Sequence, residues 1–307
     1  MKLNIRNHYG RALLELGEED PEIVAFDADL SNSTKTAMFG NKFPDRFFNM
    51  GICEQDMIST AAGMASCGKK PFVSTFSVFV PGRCFDQIRM CVAYPNLNVK
   101  MVSTHGGISV GKDGPSHHAN EDLALMRTLP NVNIFMPCDP HSAFCTIKAI
   151  HQDESPTYVR LFRDSVEMIY DEDQDFDPFR SHLLQEGDDL TIVSFGFTVH
   201  NALAAGKILS DEGYSIGVVD LQALRPLDEG AIVKAAKRCG RILTVEDHGI
   251  FGGIGTAITD LLSTVYPTMV TKVGVRRFTE SGRPDELYGK YGLSVDSIVE
   301  KSKEILK

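Results

Sequence analysis

Three short stretches of the sequence gather side chains that could do chemistry. Gly51-Ile-Cys-Glu54-Gln55 sets a carboxylate where a strand-like run gives way to a small-residue helix. Taken alone, a glutamate there reads as a first-turn acid favoured by the helix dipole. Some twenty residues on, Phe76 and Phe79 in Ser74-Thr-Phe-Ser-Val-Phe could present flat faces to a planar heterocycle, although paired phenylalanines more often build core. The third stretch, Thr104 to His118, holds three histidines, Asp113 and four glycines in one loop. Packing requires none of these. Glycines let a backbone bend tightly and approach a ligand, while histidine and aspartate supply acid/base groups and hydrogen bonds to a hydroxylated substrate. Metal binding is the rival reading, but an adjacent His117-His118 pair with a distant His105 lacks the usual ligand spacing. A fourth stretch, Glu246 to Gly255, superficially suggests a dinucleotide loop; it lacks the full glycine spacing and a suitable acid about twenty positions later.

The elements that must carry these groups alternate between helix and strand. Arg6 to Leu16 has a helical apolar pattern, and Ile23 to Phe26 is a short apolar run ending in the acidic turn Asp27-Ala-Asp29. Phe47 to Met50, Pro71 to Phe76 and Val99 to Ser103 read as strands, with a helix over Gln55 to Ser66. From about Ser165 to Glu186 the chain turns acidic and irregular, a composition that buries little apolar surface and suits a linker. Beyond it Leu190 to Phe195, Ser215 to Asp220 and Arg241 to Val245 are β-rich, with helical patterns over Val199 to Ser210 and Asp228 to Cys239. The expected fold is α/β: two domains with largely parallel sheets flanked by helices, spanning 1–165 and 187–307 and joined by a linker over 166–186.

A chain of 307 residues is long enough for about two domains. Its 43% hydrophobic and 23% charged content is that of a soluble globular protein. A net charge of −10 would repel a phosphate backbone, which argues against nucleic acid as a partner. Neither a signal peptide nor an apolar run long enough to span a membrane is evident, so a cytoplasmic location is expected. Seven cysteines without a CxxC pair disfavour structural zinc and a disulfide framework, leaving reduced thiols.

In order along the chain, Asp27-Ala-Asp29-Leu30, GICEQ, STFSVF, DGPSHHANEDLALMRTLPNVN and VEDHGIFGGIG together resemble the transketolases. The resemblance covers that family's last two domains, the pyrimidine-binding domain (1–165) and the C-terminal domain (187–307). It implies a thiamine diphosphate-dependent enzyme that transfers a two-carbon ketol unit between ketose phosphate and aldose phosphate, in pentose phosphate metabolism. These enzymes hold the diphosphate through Mg²⁺ on a GDG motif, and no GDG occurs here. The resemblance therefore implies that an N-terminal-half subunit brings the diphosphate and Mg²⁺ site, with no metal held by this chain. Two copies of each chain would make an α2β2 heterotetramer.

The same resemblance assigns roles. Glu54 matches the glutamate that hydrogen-bonds the aminopyrimidine ring, Phe76 and Phe79 match aromatics packed on it, and Asp29 matches an aspartate near the cofactor at the subunit interface. The third aromatic of that pocket falls at Gly82, with Phe85 as a candidate to replace it. Arg6, Ser33, His105 and Arg163, with Arg160 as the alternate arginine, match groups that bind the substrate phosphate. Asp113 would read the hydroxyl beside the donor carbonyl, and His117 would assist proton transfer. His118 receives no role, and the Glu246 to Gly255 stretch is implied to serve packing and dimerisation. Three other readings stay open: the beta subunit of a 2-oxoacid dehydrogenase first component, a deoxyxylulose phosphate synthase-like enzyme, and a non-catalytic scaffold subunit.

Overall fold

A computed structural model describes residues 2–307. The first helix, Ile5–Glu19, begins where the Asn4 side chain accepts a hydrogen bond from the Arg6 amide, and it buries Ile5, Tyr9, Ala12, Leu13 and Leu16. Those positions recur every three or four residues, so one face of the helix meets the core.

Among the described residues there are fourteen strands, in chain order: β1 Leu3–Asn4, β2 Ile23–Asp27, β3 Phe47–Asn49, β4 Lys70–Ser74, β5 Lys100–Ser103, β6 Asn133–Phe135, β7 Thr157–Arg160, β8 Ser165–Val166, β9 His182–Gln185, β10 Leu190–Ser194, β11 Ile216–Asp220, β12 Ala223–Arg225, β13 Arg241–Gly249 and β14 Met269–Val275. They form a seven-stranded sheet in the order β12-β6-β7-β5-β4-β2-β3, a five-stranded sheet in the order β14-β13-β10-β11-β9, and the small β1-β8 pair. Only the edge strands β12 and β9 run antiparallel within the two large sheets. The expected α/β class with largely parallel sheets is thus present. Every residue of β2, β5 and β10 is buried, as parallel strands covered on both faces require.

Helices Ile5–Glu19 and Pro140–Gln152 pack together on one face of the larger sheet, over a core that includes Phe72, Phe135 and Val159. The other face carries helix Glu54–Ser66, and its core runs on without a break into the second sheet through Val193, Phe195, Val219 and Leu221. A shared apolar core binds the two sheets, and β12, from the second half of the chain, completes the edge of the first sheet. The acidic stretch between the sheets also departs from its composition. Its Tyr170 and Phe176 are buried against Cys138, and β9 pairs with β11. Two aromatics in an otherwise charged run suffice to pin it, because each removes a large apolar area from water.

Because β2, β4, β5 and β7 are parallel, their C-terminal ends lie along one edge of the sheet, where α/β proteins place their sites. The turns after these strands lead to Asp29, Phe76, His105 and Arg163, and the turn after the neighbouring β3 leads to Glu54. Just behind that edge lies a buried ion pair: Arg160 Nε donates to Asp122 Oδ2 at 2.8 Å, and both side chains are nearly without solvent contact. Arg160→Met should cost about 3–5 kcal/mol, because it leaves the Asp122 carboxylate buried and unpaired. Lys301→Met, at an exposed pair, should stay within about 0.5 kcal/mol. Urea unfolding of both variants tests the contrast; equal, small shifts would count against the ion pair as a buried strut.

Candidate active site

Glu54 is the first residue of helix Glu54–Ser66, yet its side chain does not cap that helix; it is buried, at 4% exposure. Arg83 reaches back to it, Nη1 donating to Glu54 Oε1 at 2.7 Å, and lays its guanidinium over the Phe79 ring at 4.0 Å. Phe79 in turn stacks on Phe76, with centroids 5.9 Å apart and planes within 18°. A flat cation thus lies on an aromatic face while giving an N–H to a buried carboxylate. Those are the demands that an aminopyrimidine ring would make of the same surface, so the chain's own residues fit that half of thiamine diphosphate.

Gly82 leaves the flank of this surface open, since a Cβ built there meets nothing within 4 Å. Phe85 does not fill it. Its partly buried ring packs against the core instead, beyond the break in helical geometry at Cys84. The group beside Phe79 is Arg83, which sequence reasoning missed. Its signal was faint: a lone arginine four residues after the second phenylalanine.

His105 also lies against Phe76, its ring tilted by 31° with centroids 3.8 Å apart. Its Nδ1 lies 2.7 Å from the Thr104 hydroxyl, and its Nε2 accepts from Arg6 Nη1 at 3.4 Å. Arg6 also donates to the Ser33 carbonyl at 2.9 Å, which draws helix Ile5–Glu19 and the 31–34 turn to one point. Burial first, then the charges of Arg6, Arg163 and His117, pushes the His105 pKa down to about 3. Burial and the charge of Arg163 likewise lower that of Arg6. Two guanidiniums beside a neutral imidazole, with the Asp164 carboxyl as the nearby acid, make a cationic corner suited to an anion.

Arg163 donates to the Val110 carbonyl at 2.8 Å and is otherwise exposed. Arg160 is not available to a ligand. Besides Asp122, it donates to the carbonyls of Ala119 at 2.9 Å and Asp247 at 2.8 Å. His117 turns its ring edge to Phe79 at 5.5 Å and its Nδ1 to the Ser116 hydroxyl at 3.0 Å. Asp113 stands exposed on the same turn, and Ser116 bonds weakly back to its carbonyl at 3.5 Å. Its carboxylate is not drawn against His105 or His117.

Asp29 is exposed and set somewhat apart, at a φ of 63°. Asn49, another residue that sequence reasoning missed, holds it there. The Asn49 carboxamide accepts from the Asp29 and Gly51 amides at 3.1 Å each and donates to Asp29 Oδ1 at 3.3 Å. One side chain therefore couples Asp29 to the segment that leads into Glu54. His105 shares the unusual left-handed backbone, at a φ of 63°, a conformation that costs free energy and recurs at functional sites.

Residues 1–168 match the family profile described as transketolase, pyrimidine binding domain, and residues 180–298 match the profile described as transketolase, C-terminal domain. This chain belongs to the transketolase family. It is 43% identical to a Methanocaldococcus jannaschii protein provisionally assigned as a transketolase C-terminal section, over 99% of this chain and 96% of the relative. It is 35% identical to a 6-deoxy-6-sulfo-D-fructose transketolase subunit of Clostridium sp. strain MSTE9, over 98% of this chain and 94% of the relative. Among solved structures, a split-gene transketolase described as an inactive beta4 tetramer superposes with a TM-score of 0.92. That likeness has 45% identity and covers 99% of this chain and 98% of the other. The family's domains imply dependence on thiamine diphosphate. No helix among the described residues is long and apolar enough to cross a membrane.

The His105 geometry gives a pH prediction. Its pKa of about 3 lies below the ordinary 6.5, so between those values the unfolded chain binds this proton and the folded chain does not. The stability it contributes is complete above pH 6.5 and is lost as pH falls towards 3. An NMR titration should show a His105 ring that stays neutral from pH 8 to 5, and Arg6→Met should raise its pKa without restoring the ordinary value, because burial persists. A His105 that titrates near 6.5 in the native chain would refute the arrangement.

Proposed function

We propose that this chain is one half of a two-chain, thiamine diphosphate-dependent transketolase, active when an N-terminal-half subunit carrying the GDG motif supplies the diphosphate and Mg²⁺ site. The complex moves a two-carbon ketol unit from a ketose phosphate to an aldose phosphate. The observation that carries the reading is the buried Glu54 carboxylate beside the stacked Phe76 and Phe79 rings. Kinship to a C-terminal section and to a split-gene beta chain, each of about this chain's length, supports the division of labour. The assembly is α2β2 and cytoplasmic. The chain divides into a pyrimidine-binding domain over 1–165, a connecting segment over 166–186 and a C-terminal domain over 187–307.

When bound, the cofactor supplies a carbon nucleophile that carries the two-carbon unit between sugars. The chain's own part is to hold and to protonate. Glu54, released from Arg83, would hold the aminopyrimidine by a proton shared with a ring nitrogen, which a carboxyl sheltered from water favours. Phe76 and Phe79 hold the ring flat, and Asp29 borders the cofactor where the two chains meet. Arg6, Arg163, His105 and Ser33 form the terminal phosphate site, with the arginines providing charge and His105, whose Nε2 accepts from Arg6, holding that arginine in place. Asp113 binds the hydroxyl next to the donor carbonyl, and His117 moves a proton at the reacting oxygens. Phosphate contacts do not specify the sugar, and the relative named for 6-deoxy-6-sulfo-D-fructose argues for assaying several ketoses.

In the complex with its partner chain, thiamine diphosphate and Mg²⁺, Glu54→Gln should lower turnover about a hundred-fold or more. The circular dichroism spectrum and subunit association should not change. Xylulose 5-phosphate or hydroxypyruvate should serve as donor where pyruvate does not. Normal turnover by Glu54→Gln would remove the carboxylate from the mechanism, and preference for pyruvate would point to a 2-oxoacid dehydrogenase subunit instead.

A further inference from the structure

The loop that carries Asp113 and His117 leaves the first sheet after β5, but much of what holds it comes from the second half of the chain. The Ile108 amide donates to Asp247 Oδ1 at 2.8 Å, and Tyr288 holds the other oxygen of that carboxylate at 2.7 Å. The Ser281 hydroxyl donates to the Lys112 carbonyl at 2.6 Å, and Pro284 packs against Gly111. Gly107 takes a φ of 78°, and a Cβ there would collide with the Asp247 carboxylate. The loop is shaped to receive these groups.

One imidazole joins the two sets. His118 is 2% exposed; its Nε2 lies 3.0 Å from the Gly111 carbonyl and its Nδ1 2.7 Å from the Thr279 hydroxyl. A carbonyl can only accept, so Nε2 carries the proton and donates, and Nδ1 accepts from Thr279. The ring therefore closes the loop on itself across seven residues and fastens it to the segment after β14. His117, the preceding residue, faces the opposite way, towards Phe79. A shift of the His118 ring would move His117 with it.

We propose that His118 is a positioning residue: with Thr279 it clamps the 108–118 loop to the C-terminal half and so fixes His117 and Asp113 for substrate. The C-terminal half thereby contributes to turnover without touching the reacting atoms. The link to turnover rests on the transketolase reading above, whereas the clamp itself does not. Misplacing an acid/base group by about 1 Å can cost on the order of a hundred-fold in rate, so a single lost tether should be visible.

The test uses Thr279→Val, His118→Gln and His118→Asn. Gln can still donate to Gly111 but loses Thr279; Asn keeps an acceptor near the Nδ1 position and so the bond to Thr279. In the full chain, amide hydrogen exchange over 108–118 should quicken about tenfold in Thr279→Val and His118→Gln, the equivalent of one buried hydrogen bond, and less in His118→Asn. Exchange in helix Val295–Leu306 should not change in any variant. In the assembled enzyme the first two variants should lower kcat about ten-fold or more with KM for the phosphorylated donor nearly unchanged, and His118→Asn should recover part of the loss. Unchanged loop exchange in Thr279→Val would overturn the clamp. A loosened loop with unaltered kcat and KM would overturn its positioning role. A wild-type complex inert towards ketose phosphates would sink the transketolase reading while the exchange result still stood in favour of the clamp.

Discussion

The arrangement depends on one buried guanidinium. Arg160 sits at the end of β7, where it neutralises Asp122 and donates to the carbonyls of Ala119 and Asp247. These partners come from the helix that follows the histidine-rich loop, from the loop's own end, and from the strand of the second sheet that holds the loop's start. A charge taken out of water must be fully paired, and here the pairing is possible only if all three segments meet at one place. The nearby Glu246 carboxyl, pushed up to about 8 by burial, and His248, pushed down to about 4 for the same reason, show how dry this junction is. Gly106 belongs to it too, since a Cβ there would press into the Arg160 side chain.

With that junction fixed, the site follows from strand direction. Parallel strands deliver their C-terminal turns to one edge, and the sheet holds Phe76, His105 and Arg163 in register. The phosphate end and the aromatic end differ in electrostatic character. At the first, Arg6 and Arg163 crowd a histidine that cannot take a proton. At the second, a buried acid is neutralised by an arginine with 47% side-chain exposure. Arg83 itself can return to solvent, but Glu54 would then be a buried carboxylate without a partner, so the arginine leaves only as another hydrogen-bond donor takes its place. The Arg6 and Arg163 pair, by contrast, is eased in part by the nearby Asp164 carboxyl, and an incoming anion would ease it further.

The joining of the two halves also bears on stability. Their apolar core is continuous, and β12 crosses to the first sheet, so neither sheet has a complete hydrophobic interior alone. Between them the acidic stretch is pinned by Tyr170 and Phe176. Tyr170 donates from its hydroxyl to the buried Asp220 at 2.7 Å, and Cys138 donates to the same carboxylate at 3.0 Å. Burial raises the Asp220 pKa to about 6, so this second junction also concentrates a costly polar group where the halves meet.

By itself the sequence determined the class of fold and the identity of the chemical groups. Short β-rich runs alternating with helical patterns imply parallel sheets, and the histidines and Asp113 of the 104–118 loop stood out because packing needs no such crowd of polar groups and glycines, whereas Glu54, Phe76, Phe79 and the arginines took their roles from the resemblance to transketolases. Tertiary structure alone decided which groups meet. Arg160 and Arg163 are three residues apart and look alike in sequence, yet one points into the junction and the other out, because successive side chains on and beyond a strand alternate in direction and only one direction has acceptors waiting. Phe85 packs against the core and Arg83 reaches Glu54, on either side of the break in helical geometry at Cys84. The roles of Asn49, Thr279 and Asp247 could not be read locally, since each acts on a segment 20 to 161 residues away in the chain. Such a contact leaves no periodicity and no motif in the sequence, and exists only once the whole chain has folded around it.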